Sequence, residues 1–179
     1  DAYILHKYQP DRSLGSSWHP WIQEGEEQLA IQQDETAIVL WAFWQHYKYT
    51  LDLEFVEGSY NSFVKRIADF LVRYRDPETG LPKESYDLWE EKYGVSTFTA
   101  ASVAGALGAA ANFADLLGKE EDAQLYRDNA QHMKRSITDT LYRKDLGAFV
   151  KLVRCEAMCD PTDADLTIDA SSFFGIYQF

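Results

Sequence analysis

Residues 97–117 read TFTAASVAGALGAAANFADLL, and this stretch decides the fold predicted for the chain. Alanine and glycine occupy 10 of its 21 positions, and Gly118 follows directly. Because such small side chains let neighbouring backbones approach closely, the stretch predicts a helix surrounded by other helices. A glycine just past the last periodic residue is a common helix end.

The rest of the chain also favours helices, predicted over 34–49, 59–74 and 120–141, with a further start near Asp169. The first contains AIVLWAFW at 37–44, which is apolar all round and predicts burial on every side. The other two each carry one apolar stripe opposite a charged face, as outer helices do. The stripes comprise Tyr60, Phe63, Val64, Ile67, Phe70, Leu71 and Tyr74, and Tyr126, Ala130, Met133, Ile137 and Leu141. A strand-like pattern is found only at 148–153.

These alternating helices predict an all-α fold of two layers, with 34–49 and 97–117 inside 59–74 and 120–141. Short connections make successive helices antiparallel, so the inner helices should begin at one end of the structure. Their N-termini carry free N–H groups and partial positive charge, which stabilise carboxylates placed there. We therefore expect the acidic segments around Asp34, 87–91 and Asp169 to converge. A protein-binding solenoid is the alternative, but no short repeated motif supports it.

The composition limits the partners of the chain. Its 179 residues carry a formal net charge of −12, which disfavours nucleic acid and anionic membrane surfaces. No apolar run approaches the roughly 18 residues that span a bilayer. No leader sequence opens the chain, so its first residue is expected to be a cut inside a longer protein. The compartment stays unknown, with the cytoplasm slightly favoured.

The two cysteines, Cys155 and Cys159, are interpreted as unpaired thiols, with a short-loop disulfide as the alternative. No histidine has the spacing of a zinc ligand near them, so no metal and no cofactor is predicted. His19, which precedes a proline, is interpreted as a hydrogen-bonded loop residue.

The densest group of chemically useful side chains lies at 85–92, which reads SYDLWEEK. Glycoside hydrolysis generally uses two carboxyl groups, one of which protonates the leaving oxygen. Aromatic rings pack on the C–H faces of sugars, which suits Trp89, Tyr86, Trp18 and Trp21 to that ligand. The alternative is a solvated acidic loop with a buried tryptophan anchor.

The order of these residues resembles the acid-bearing segment of the glucoamylase family of glycoside hydrolases, family 15, in its bacterial and archaeal branch. The matching motifs are TGLP at 79–82, YDLWEE at 86–91, Gly94 and TFT at 97–99, then HKY at 6–8, GSSWHPW at 15–21, IQQDETA at 31–37 and TIDAS at 167–171. The resemblance covers chiefly the first hundred residues.

The resemblance implies an (α/α)6 barrel of six helical hairpins that hydrolyses α-glucosidic bonds with inversion. It implies that Glu90 is the general acid, that Glu91 contacts substrate hydroxyls, that Asp34 holds the terminal glucose, and that Asp87 and Trp89 shape the pocket. Helix N-capping is a rival role for Asp34 and for Asp169.

The resemblance also implies a division of the chain and a missing group. The expected parts are loops over 1–33, a first hairpin over 34–75, the active-site loop over 76–96, a second hairpin over 97–141, and a connection with the start of the third inner helix over 142–179. These are about the first five helices of the barrel, and the general base lies further downstream in the family. The chain alone is therefore expected to be inactive and to pair with the rest of the barrel, to self-associate or to be partly molten, because faces that include Ile38, Trp41 and Phe98 lack partners. A non-catalytic relative that serves as a sugar-sensing scaffold is the alternative function.

Overall fold

The computed structural model describes residues 2–5, 7–15, 21–23, 25–154 and 163–179. Six α-helices dominate the described residues: α1 Gln33–Thr50, α2 Leu53–Ser59, α3 Lys65–Arg73, α4 Thr97–Leu116, α5 Glu120–Leu141 and α6 Ala170–Gln178. The predicted helices are confirmed to within a few residues, except that the 59–74 helix begins earlier, at Leu53. Asp52 caps this earlier start by accepting the N–H of Phe55 at 2.9 Å. A π-helical turn, Tyr60–Val64, joins α2 to α3.

Helix α4 lies at the centre of the described structure. It packs against α1, α5 and α6, and 15 of its 20 residues are buried. Ser96 caps its first turn by accepting the N–H of Thr99 at 3.0 Å. The apolar stripes of α3 and α5 face inward, where Ile67, Leu71, Tyr126 and Met133 are buried. The predicted inner and outer layers are confirmed for these helices.

Helix α1 differs from the prediction that it is buried on every side. Its N-terminal half contributes Ala37 and Leu40 to the core, but Val39 is 38% exposed and Trp41 is only half-buried. The reason is that α3 and α4 cover one side of α1 among the described residues. Phe98, which was expected to be uncovered, is 4% exposed because α6 and Phe179 pack over it.

Short strands, which the sequence predicts only at 148–153, occur in three small sheets among the described residues. The strands are β1 Ile22–Gln23, β2 Glu26–Glu27, β3 Ser85–Tyr86, β4 Tyr93–Ser96, β5 Tyr142–Arg143, β6 Ala148–Phe149, β7 Leu152–Val153 and β8 Ala164–Asp165. β3, β4, β7 and β8 form one antiparallel sheet, while β6 pairs with β5. The 148–153 pattern thus contributes to two sheets. Two-residue strands are too short to show alternation, which is why the others were missed.

The sheet β3-β4-β7-β8 connects the loop before α4 to the loop before α6. Ser85 pairs with Gly94, and Val95 pairs with Val153. A Cβ on Gly94 would stand 2.5 Å from Leu152 Cδ1 and 2.6 Å from the carbonyl oxygen of Val153. Only glycine therefore permits this approach of β4 to β7.

The N-termini of α1, α4 and α6 meet at one end, as predicted. Asp34 Oδ1 in the first turn of α1 accepts a hydrogen bond from Thr99 Oγ1 in α4 at 3.0 Å. The carbonyl oxygen of Val150 accepts from Thr97 Oγ1 in α4 at 2.6 Å and from Ser172 Oγ in α6 at 3.3 Å. We call this end the mouth. No helix within the described residues is long and apolar enough to cross a membrane.

Candidate active site

The turn between β3 and β4, residues 87–92, is held at the mouth by Asp87. Asp87 is 2% exposed. Its Oδ1 accepts the backbone N–H groups of Glu91 at 2.8 Å and Lys92 at 3.2 Å. Its carbonyl oxygen accepts the N–H of Glu90 at 2.9 Å, and its own N–H donates to the carbonyl of Lys92 at 2.9 Å. One buried aspartate thus determines the path of the turn.

Glu90 lies at the tightest point of this turn. Its φ of 54° is in the left-handed region, which a glutamate rarely adopts. The bonds that Asp87 accepts from the N–H groups of Glu90, Glu91 and Lys92 hold this conformation. The side chain of Glu90 is half-buried, whereas that of Glu91 is 64% exposed. The two adjacent carboxylates therefore occupy different environments.

A buried lysine completes the polar group at the mouth. Lys151 Nζ lies 2.9 Å from Asp87 Oδ2, 3.1 Å from Glu91 Oε2 and 3.9 Å from Asp169 Oδ2. Burial disfavours the charged form of Lys151, but hydrogen bonds to Asp87 and Glu91 outweigh it, so the pKa of Lys151 lies above its ordinary value.

Asp169 links the turn to α6. It is the N-cap of α6, where its Oδ1 accepts the N–H of Ser171 at 2.7 Å, so the capping role that was the alternative for this residue is the one observed. It also accepts from Trp89 Nε1 at 3.1 and 3.2 Å. Burial raises the pKa of Asp169, but the bonds from Ser171 and Trp89 outweigh it and leave the pKa below its ordinary value. Trp89 is held by its N–H while 53% of the residue stays exposed.

Asp34 is close to the mouth but enclosed, with 1% exposure. The capping role considered for it is wrong, because Gln32 is the N-cap of α1 and makes no side-chain capping bond. Asp34 instead joins α1 to α4 through Thr99. Gln32 Nε2 donates to the carbonyls of Tyr86 at 3.3 Å and Asp87 at 3.2 Å, which fastens the turn to α1.

Trp21 is the remaining aromatic candidate that the structure describes. Its ring packs edge-on against the ring of Tyr86, with 5.2 Å between the two centroids. Tyr86 directly precedes Asp87 in the sequence. The structure therefore brings Asp34, Asp87, Trp89, Glu91 and Trp21 to the mouth along with Glu90. Trp18, His19, Cys155 and Cys159 lie outside the described residues.

Sequence reasoning missed Lys151, the cation among these acids. The signal was available, because a lysine between Val150 and Leu152 in an apolar run is unusual. Buried lysines are generally paired with carboxylates. The strand-like pattern at 148–153 predicts a buried strand, but it does not indicate which carboxylates its lysine meets.

Comparison with known proteins identifies the class to which this fold and site belong. The sequence profile described as glycosyl hydrolases family 15 matches residues 23–170. An uncharacterized glycosyl hydrolase of Methanocaldococcus jannaschii is 27% identical over 164 residues, which are 89% of this chain and 25% of that protein. The class is therefore that of the glycosyl hydrolases. The chain belongs to family 15.

A solved structure supports the fold. The chain resembles a bacterial glucoamylase complexed with acarbose, with a TM-score of 0.55 and 24% identity over 76% of this chain and 19% of that chain. The helices described above are thus part of an (α/α)6 barrel, and the predicted family and fold class are confirmed. The chain spans a quarter or less of the length of these two relatives.

Proposed function

We propose that this chain carries the acid half of the active site of an exo-acting α-glucoside hydrolase that inverts the anomeric centre. Glu90 is the general acid that gives its proton to the leaving oxygen. The observation that carries the proposal is the turn fixed by buried Asp87, which places half-buried Glu90 between exposed Trp89 and exposed Glu91 at the mouth. An acid among sugar-binding side chains is what hydrolysis of a glycosidic bond requires.

The neighbouring residues are proposed to bind the sugar. The exposed ring of Trp89 packs on a sugar face while Asp169 holds its N–H. Glu91 accepts hydrogen bonds from substrate hydroxyls, Asp87 shapes the pocket from behind, and Trp21 and Trp18 extend the aromatic lining. Asp34 holds the terminal glucose. Because Asp34 is 1% exposed, that contact requires the residues over it to move on binding.

The second carboxylate is proposed to come from a part of the barrel outside this chain. Inverting hydrolysis needs a base that activates water on the opposite face of the sugar, about 6.5–9.5 Å from the acid. The bacterial glucoamylase that the chain resembles was solved with acarbose, which supports an α-glucan or α-glucoside as substrate.

The complete gene product that contains this chain is expected to release glucose from at least one of maltose, isomaltose and trehalose. The first product should be the β-anomer, because inversion turns an α-glucosidic bond into a β-hydroxyl. Proton NMR during the first minutes of the reaction distinguishes the anomers. The leaving glucose keeps its own configuration, α from trehalose and mixed anomers from maltose or isomaltose, so the absence of an initial excess of β-glucose would contradict inversion. Binding of these sugars without cleavage would favour the sugar-sensing scaffold instead.

The chain by itself is expected to be inactive and to associate, either with itself or with the rest of the barrel. Helix α6 leaves Phe173 75%, Phe174 51% and Tyr177 79% exposed, and Trp41 on α1 is half-buried. Large apolar surfaces of this kind usually acquire a partner. Light scattering on the purified chain, with a glucose-release assay on the same sample, checks both expectations. A monomer that hydrolyses maltose would contradict them.

A further inference from the structure

The backbone of Lys151 is held by hydrogen bonds to two neighbouring segments, β8 and the start of α4. Its N–H donates to the carbonyl of Asp165 in β8 at 2.9 Å, and its carbonyl accepts the N–H of Thr97, the first residue of α4, at 3.0 Å. Val150 and Leu152 on either side of it are 1% exposed, and Lys151 itself is 5% exposed. The side chain therefore starts from a fixed point inside the mouth.

The ammonium group of Lys151 faces carboxylates from two separate parts of the chain. Asp87 and Glu91 belong to the turn that carries Glu90, and Asp169 caps α6. The three carboxylates would repel one another without a cation between them. A single lysine thus ties the acid-bearing turn to an inner helix 80 residues away in sequence, as Trp89 also does.

Glu91 is the carboxylate whose orientation depends most on this lysine. Asp87 is already held by the backbone N–H groups of Glu91 and Lys92, whereas the side chain of Glu91 is 64% exposed. An exposed glutamate has several accessible rotamers, and an ion pair with a buried, fixed ammonium selects one of them. Asp87 thus shapes the backbone of the turn, while Lys151 orients Glu91.

We propose that Lys151 is a positioning residue that orients Glu91 toward the substrate and keeps the turn bearing Glu90 against α6. This role of Lys151 deepens the proposed function and rests on it. Lys92, in the same turn as Glu91, does not share this role, because its side chain is exposed and its Nζ pairs with Asp165 at 3.4 Å.

A kinetic double-mutant cycle on the complete gene product tests this role. Lys151→Met is expected to lower kcat/KM about 10- to 100-fold, since misplacing a binding group by an ångström costs rates of this order. It should raise KM as Glu91→Gln does, and it should add little in the Glu91→Gln background. A substitution that only reduces the amount of folded enzyme lowers apparent kcat and leaves KM unchanged.

Two controls accompany the cycle. Lys144→Met removes an exposed lysine from the turn between β5 and β6 and should change neither kcat nor KM. Lys151→Arg keeps the charge, so it should retain more activity than Lys151→Met. If Lys151→Met does not fold, the cycle is run with Lys151→Arg, whose larger head displaces Glu91 and should raise KM only when Glu91 is present.

Additive effects in the cycle, or an unchanged KM, would overturn the positioning role. A wild-type protein that binds maltose without cleaving it would contradict the proposed hydrolysis but not the positioning role. That role is then tested by the same double-mutant cycle, with the Kd for maltose measured in place of KM. A protein that neither binds nor cleaves maltose, isomaltose or trehalose overturns both proposals.

Discussion

Replacement of Glu90 by glutamine is expected to lower kcat of the complete gene product about 100- to 10,000-fold, the range that a positioned general acid contributes. Glutamine matches glutamate in shape and still occupies the turn, but it cannot transfer a proton to the leaving oxygen. KM should change little, because the sugar-binding side chains around it stay in place. Initial rates on whichever glucoside the wild type cleaves provide the measurement.

The leaving group offers a sharper test of the same role. In α-glucosyl fluoride the leaving group is fluoride, which departs as an anion without a proton from an acid, so Glu90→Gln should lose far less activity on this substrate than on a disaccharide. An equal loss on both substrates would show that Glu90 acts in some other way.

Two further variants separate the acid from its neighbours. Glu78→Gln alters an exposed glutamate earlier in the same long loop and should leave turnover unchanged. Glu91→Gln should chiefly raise KM, since Glu91 is proposed to bind hydroxyls. If Glu90→Gln keeps near-normal turnover while Glu91→Gln abolishes it, the roles of the two residues are reversed.

Replacement of Asp87 by alanine is expected to lower the free energy of unfolding of the chain by about 3 kcal/mol, the lower end of the range for breaking a buried ion pair. The variant loses the partner of Lys151 at 2.9 Å and the acceptor of two backbone N–H groups. Glu91 and Asp169 remain near Lys151, which limits the loss.

Urea denaturation followed by circular dichroism measures this loss at one matched protein concentration, because association shifts the apparent stability. Asp145→Ala is the matched control, since it removes an aspartate from an exposed pair with Arg143. Exposed pairs contribute little, so this control should unfold almost as the wild type does. Equal midpoints for Asp87→Ala and Asp145→Ala would contradict a stabilising role for the buried pair.

The candidate site was largely predictable because its acids cluster within one short loop. Asp87, Trp89, Glu90 and Glu91 lie within five consecutive positions, so their proximity needed no tertiary information. The convergence of Asp34 and Asp169 with this loop followed from the antiparallel order of the helices. The pairing of Lys151 with these acids was not predictable, because Lys151 is 60 residues from Glu91 in sequence. Its side chain lies beside the acids only because β7 pairs with β4.

What the sequence alone determined about this protein is its long helices and, apart from the open side of α1, their layers. The periodicity of apolar residues is a local property of the sequence, so it can be read without knowledge of tertiary contacts. It correctly distinguished α4, which is buried almost throughout, from α3 and α5, which bury one face. The tertiary structure alone decided which faces are covered. Trp41 and Phe98 are both large and apolar, yet one is half-buried and the other 4% exposed, because α6 packs over Phe98 and leaves Trp41 with an edge contact to Phe179. Burial and charge pairing depend on neighbours distant in sequence, and no local pattern records those neighbours.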